Sequence, residues 1–111
     1  MANLIVTFTR GGPVPARNIG LPVMDLRVCR TEAVEIGATS EATDIECADE
    51  NDIVHLHAEA ACWVSIGPDP TAEAATASTA SEPVASFPMD EGDKLQSPVS
   101  AGDKVAVITR A

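Results

Sequence analysis

His55 and His57 are the two histidines of the chain, and Glu59 follows two residues later in D-I-V-H-L-H-A-E-A-A-C-W-V-S-I-G, Asp52–Gly67. Val54, Leu56 and Ala58 alternate with them, the period of an extended chain with one buried and one wet face. On a strand the three polar side chains point the same way, about 6–7 Å apart per step. Two imidazoles and a carboxylate suit zinc or iron, above all when a barrel interior holds them. The plainer reading puts all three on the solvent face of a half-buried strand. The sequence favours that one, so no metal is assigned.

The remaining polar groups promise little chemistry. Asp49, Glu50, Asn51 and Asp52 have the oxygen density for calcium, as do Asp90, Glu91 and Asp93. Neither run has the EF-hand spacing, and both read as solvated turns. No G-x-S-x-G occurs, and Ser65 lies on an expected strand with no base near it in sequence. The glycines at Gly11 and Gly12 lack the lysine and hydroxyl of a phosphate loop. Cys29, Cys47 and Cys62 are odd in number and form no C-x-x-C, which argues against a disulfide framework or a zinc ribbon. They read as small buried side chains. No catalytic residue and no cofactor are assigned.

His55-x-His57 is similar to the metal motif of cupins, in which H-x-H is followed several residues later by a glutamate. Glu59 comes too soon, and there is no third histidine to complete the set.

The elements that must carry these residues are short. Ile53–Glu59 and Ala61–Ile66 read as two strands, or as one long strand bent between them. In the second, Cys62, Val64 and Ile66 share one face, and Trp63 and Ser65 the other. Gly67-Pro68 stops it, since proline has no N–H for the ladder. Asn3–Thr9 is β-branched and aromatic and predicts a strand. Arg10–Pro15 breaks it with two glycines and two prolines. The strand before this linker is either part of the core sheet or an arm that pairs with a neighbouring subunit. Val23–Cys29, Ala33–Gly37 and Asp44–Ala48 are further short strands, with Ala38–Thr43 a polar turn. Asp49–Asp52 fits a hairpin turn into the central stretch. Pro68–Pro83, rich in Ala, Thr and Ser, reads as a long exposed loop, either a surface excursion or a partner surface. Gly92-Asp93-Lys94-Leu95 recurs ten residues later as Gly102-Asp103-Lys104-Val105, each a turn before a strand in an expected meander. Val105–Thr109 is the last strand.

A chain of 111 residues is one domain. Aromatics are 3% of it, so a core of Val, Ile, Leu and Ala gains less buried area per residue, and subunit contacts are expected to add more. The net charge of −10 argues against nucleic acid and anionic membranes as partners. It maintains solubility or suits docking onto a basic protein surface. No apolar run approaches the ~20 residues of a membrane span. Leu4–Phe8 is too short for a secretory signal, so folding in a reducing cytoplasm is expected.

Ala61–Ala72, A-C-W-V-S-I-G-P-D-P-T-A, and Ala101–Ile108, A-G-D-K-V-A-V-I, resemble a pattern in small β-rich virion proteins of tailed bacteriophages. The likeness covers about the last half of the chain. It implies a non-enzymatic structural protein, made in the host bacterial cytoplasm and carried in the virion. The expectation is an all-β fold, a small antiparallel sandwich or jelly-roll-like barrel. Its function would be capsid decoration or cement: a homotrimer bound to the major capsid protein. Residues 1–15 would be an N-terminal strand or arm with its linker, and 16–111 the β domain. Leu4, Ile5, Val6 and Phe8 are the candidates for an inter-subunit strand, and on that view deleting Met1–Pro15 leaves a folded core. Two other readings stand beside it. One is a tail or fibre-base component binding host-surface glycan. The other is a cupin-like metal protein, opposed by the missing ligand.

Overall fold

Asn3–Thr9 alternates apolar and polar side chains, and it forms strand β1 over those seven residues. The computed structural model describes residues 2–12, 23–24, 28–49, 51–75 and 84–110. After β1 come β2 (Gly11–Gly12), β3 (Val23–Met24), β4 (Arg30–Glu35), β5 (Glu41–Ala42), β6 (Ile53–Ala58), β7 (Cys62–Gly67), β8 (Phe87–Met89), β9 (Lys94–Pro98) and β10 (Lys104–Thr109). The protein is all-β, a sandwich of two antiparallel four-stranded sheets ordered β4-β1-β6-β9 and β5-β10-β7-β8. β2 and β3 form a separate two-stranded ladder. Among the described residues no helix is long and apolar enough to cross a membrane.

Period-two patterning decides which side chains fill the space between the sheets. Leu4, Val6 and Phe8 of β1, Val54, Leu56 and Ala58 of β6, Cys62 and Val64 of β7, and Val105 and Val107 of β10 make one buried cluster with Val34, Cys47 and Met89. Each large member removes enough apolar area from water to contribute about 1.5–3 kcal/mol.

The pairings nest. β7 pairs with β8, β6 with β9, and β5 with β10. This is a long hairpin rolled on itself, the jelly-roll arrangement of two sheets. The outermost strand, β4, takes β1 as its partner, so the first strand of the chain completes the roll. Ile36 N–H donates to Ala2 O and Thr109 N–H to Gly37 O, which brings the two ends of the described chain to the same end of the sandwich.

The repeated G-D-K turns are corners, and the expected meander does not form. Chain Asp90–Asp93 leads from β8 in one sheet to β9 in the other, and Ser100–Asp103 leads back to β10. A meander would have left all three strands in one sheet.

Three other expectations meet a different structure. Asp44–Ala48 is not a strand: the Glu32 carboxylate binds the N–H groups of Asp44 and Ile45, and the backbone of Cys47 pairs with the 102–103 corner. The strand lies earlier, at β5, inside the expected polar turn, because Glu41 and Ala42 sit opposite Val107 and Ala106 of β10. Of the described residues in Val23–Cys29, Val23–Met24 form a strand and 28–29 do not. Residues 25–27 fall outside the described residues. The loop 68–83 is described to Ala75, and its first part is held down: Ala72 is 2% exposed.

Candidate functional site

Alternation along β6 puts His55 and His57 on the outer face of the β4-β1-β6-β9 sheet, half-buried. His55 lies opposite Thr7 and Gln96, and His57 opposite Ile5 and Lys94. Burial first, then the charges of Lys94 and His57, push the His55 pKa below its ordinary 6.5. Glu59 lies beyond the strand end, and its carboxylate accepts the N–H of Asn3 at 2.8 Å. The three residues are brought to one side of one sheet, on its exterior. Among the described residues no three His, Cys, Asp or Glu side chains gather as a metal would require.

The acidic turns use their oxygens internally. Asp93 Oδ2 accepts the N–H of Asp90 at 2.8 Å, and Asp103 Oδ2 that of Ser100 at 2.9 Å. A side-chain acceptor at the end of a turn fixes the turn's own backbone, which is why aspartate serves here. Cys47 and Cys62 are buried and Cys29 is exposed. Burial pushes the Cys62 thiol up to about 11, with Arg110 opposing and Asp93 adding. Burial and then Asp103, Asp52 and Asp49 raise Cys47. Both thiols therefore stay protonated, poor nucleophiles and poor ligands at neutral pH. Asn51, whose carbonyl accepts the Cys47 thiol at 3.2 Å, is buried, and among the described residues its side-chain oxygen and nitrogen find no hydrogen-bond partner.

On the other sheet, β7 and β10 pair in full register from Cys62↔Thr109 to Gly67↔Lys104. Ser65 and Ala106 face each other there, and both are buried although they point away from the core. The chain leaving β7 is pinned at Ala72 N–H by the Ser40 hydroxyl and at Glu73 N–H by the Ser86 hydroxyl, at 2.9 and 3.0 Å. Ser40 precedes β5 and Ser86 precedes β8, the two edges of that sheet, so the segment lies across its outer face. At the sheet's far end Arg110 stands over the Trp63 ring at 6.0 Å, pairs with Asp90 at 2.9 Å and donates to Met89 O.

The structure places Leu4, Val6 and Phe8 at 0% exposure. β1 has β4 on one side and β6 on the other, so neither of its backbone edges is open to a neighbour. Ile5 alone of the four expected interface residues faces outward. Phe87 is the large hydrophobic with most exposure among the described residues, at 57%. It borders an apolar cleft of about 280 Å³ between the β8 and β9 edges, lined also by Leu56, Val64, Ile66 and Leu95.

The opposite side of the sandwich opens between β4 and β5. A cleft of about 450 Å³ there is lined by Glu32, Glu35, Glu41 and Asp44 around Ala33, Gly37 and Ala42. Sequence reasoning missed it. The signal was present in R-T-E-A-V-E, whose three charges in six residues are what an edge strand carries, but only the fold puts Glu41 and Asp44 beside it.

Comparison with known proteins finds no matching family model, no similar curated protein and no similar solved structure.

Proposed function

We propose that this chain is a non-catalytic structural protein of a tailed-phage particle, a decoration protein that seats on the major capsid protein of the head shell as a homo-oligomer, specifically a trimer. The observation that supports the reading is the β7–β10 unit. The two stretches that carry the resemblance, Ala61–Ala72 and Ala101–Ile108, are far apart in sequence. They come together as paired strands at the centre of one sheet, with the segment to Ala72 folded over them. Exposed Phe87 and the apolar cleft beside it offer area that copies or shell would cover. Many equivalent sites on a symmetric shell let each contact be weak while the sum is strong. Imaging of particles that carry or lack the chain tests the reading, since it locates the protein directly.

A further inference from the structure

We infer that β4 is an open strand-addition edge, and that it takes an extended, lysine- or arginine-bearing segment of another protein. The phase of the ladder sets which backbone groups are available. Ile36 N–H donates to Ala2 O at 3.1 Å, so in the antiparallel register Val34, Glu32 and Arg30 also turn their N–H and C=O toward β1. Thr31, Ala33 and Glu35 turn theirs away from the sheet. Among the described residues no strand lies on that side of β4, and no backbone group there meets the outward N–H and C=O of these three. Added strands bind through just such a row of donors and acceptors.

The other three edges are less open. Pro88 interrupts the three-residue β8, Pro98 ends β9, and β5 is two residues long. β4 has six residues and no proline, with the small side chain of Ala33 at its middle.

The cleft beside the edge selects the occupant. Glu32 is committed to the N–H groups of Asp44 and Ile45 at 2.9 and 3.0 Å. Glu35, Glu41 and Asp44 remain exposed around the opening, and Arg30 is the one cation on the strand. Every second side chain of an added strand turns toward that cleft. Cationic side chains at those positions meet opposite charge. A second copy of this chain, with net charge −10, would set one acidic cleft against another.

The inference stands apart from the particle reading, because no shell enters its test. A short peptide of alternating valine and lysine is titrated into the full chain, with a valine–glutamate peptide as the control. The lysine peptide is expected to bind at least about tenfold tighter, to weaken with salt, and to slow exchange of the Ala33 amide. Ala33→Pro removes one outward N–H and leaves the β1 ladder intact, and is expected to lose most of that binding. The double variant Glu35→Lys, Glu41→Lys is expected to reverse the preference toward the glutamate peptide. Absence of lysine-peptide binding at low salt, equal binding of both peptides, or an unreversed preference in the double variant would overturn the inference. Wild-type binding by a folded Ala33→Pro chain would do the same.

Discussion

Gly102 donates its N–H to the carbonyl of Cys47 at 2.8 Å, and Cys47 N–H donates to Asp103 O at 2.7 Å. Ten residues earlier Gly92 and Asp93 make the same two bonds with Ala58, at 2.8 and 3.0 Å. The two corners are one device used twice. In each, an aspartate caps the turn with its carboxylate, and a glycine with φ near +90° occupies the third turn position.

That backbone angle gives the first prediction. Alanine at either corner glycine is strained, and Gly92→Ala and Gly102→Ala are each expected to cost about 1–2 kcal/mol. Gly37 has no such angle, and a Cβ there would meet nothing within 4 Å. Gly37→Ala is therefore expected to be neutral or mildly stabilising. Urea unfolding curves of the three variants measure it, and equal losses at all three would contradict the corner account.

The second prediction concerns the first strand. β1 sits between β4 and β6 and contributes three fully buried apolar side chains, Leu4, Val6 and Phe8. Leu4→Ala is expected to cost about 2–5 kcal/mol, as large-to-small changes in packed cores do. Ile5→Ser, on the outer face, is expected to cost less. Deleting Met1–Pro15 removes a central strand, and circular dichroism with amide dispersion is expected to show an unfolded chain. A folded truncated domain would sink this placement.

Much of the sandwich was legible because period-two patterning is local. β1 follows the expected bounds of Asn3–Thr9, and the inward and outward sets of β6 and β7 follow the expected alternation. What the sequence did not reveal depends on contacts distant in the chain. Nothing near Glu41 says that β10 will pair with it, and nothing near Ile45 says that Glu32 will take its amide. The G-D-K echo is visible as a repeat, but whether such a turn makes a hairpin or crosses between sheets is set by what the following strand packs on. The candidate site was least legible of all. The acid-lined cleft joins residues from two edge strands in different sheets, while His55 and His57, conspicuous in sequence, prove to be neighbours on an outer face.

Acid sensitivity is the third prediction. The folded pKa of His55 lies below 6.5, chiefly through burial. The unfolded chain then binds that proton more tightly than the folded one. This contribution is at its most favourable above pH 6.5 and declines as pH falls toward the folded pKa, below which it changes no further. His55→Gln is expected to flatten this part of the stability profile between pH 7 and pH 5, read from urea midpoints. Parallel profiles for variant and parent would contradict it.

Thiol reactivity is the fourth. Cys29 is exposed, whereas Cys47 and Cys62 are buried with raised pKa values. A disulfide-exchange reagent at neutral pH is expected to titrate one thiol quickly in the folded chain and all three in denaturant. Two fast thiols in the native protein would show that the sandwich opens at Cys47 or Cys62 more readily than its packing implies.

The claim that this sandwich works by attaching to a particle is tested most directly by electron cryomicroscopy of phage particles assembled with and without the chain. The account predicts added density in the shape of a two-sheet domain, repeated at symmetry-related positions on the outer surface of the head and missing when the chain is absent. Identical maps from the two preparations, with the chain left in the soluble fraction, would contradict it.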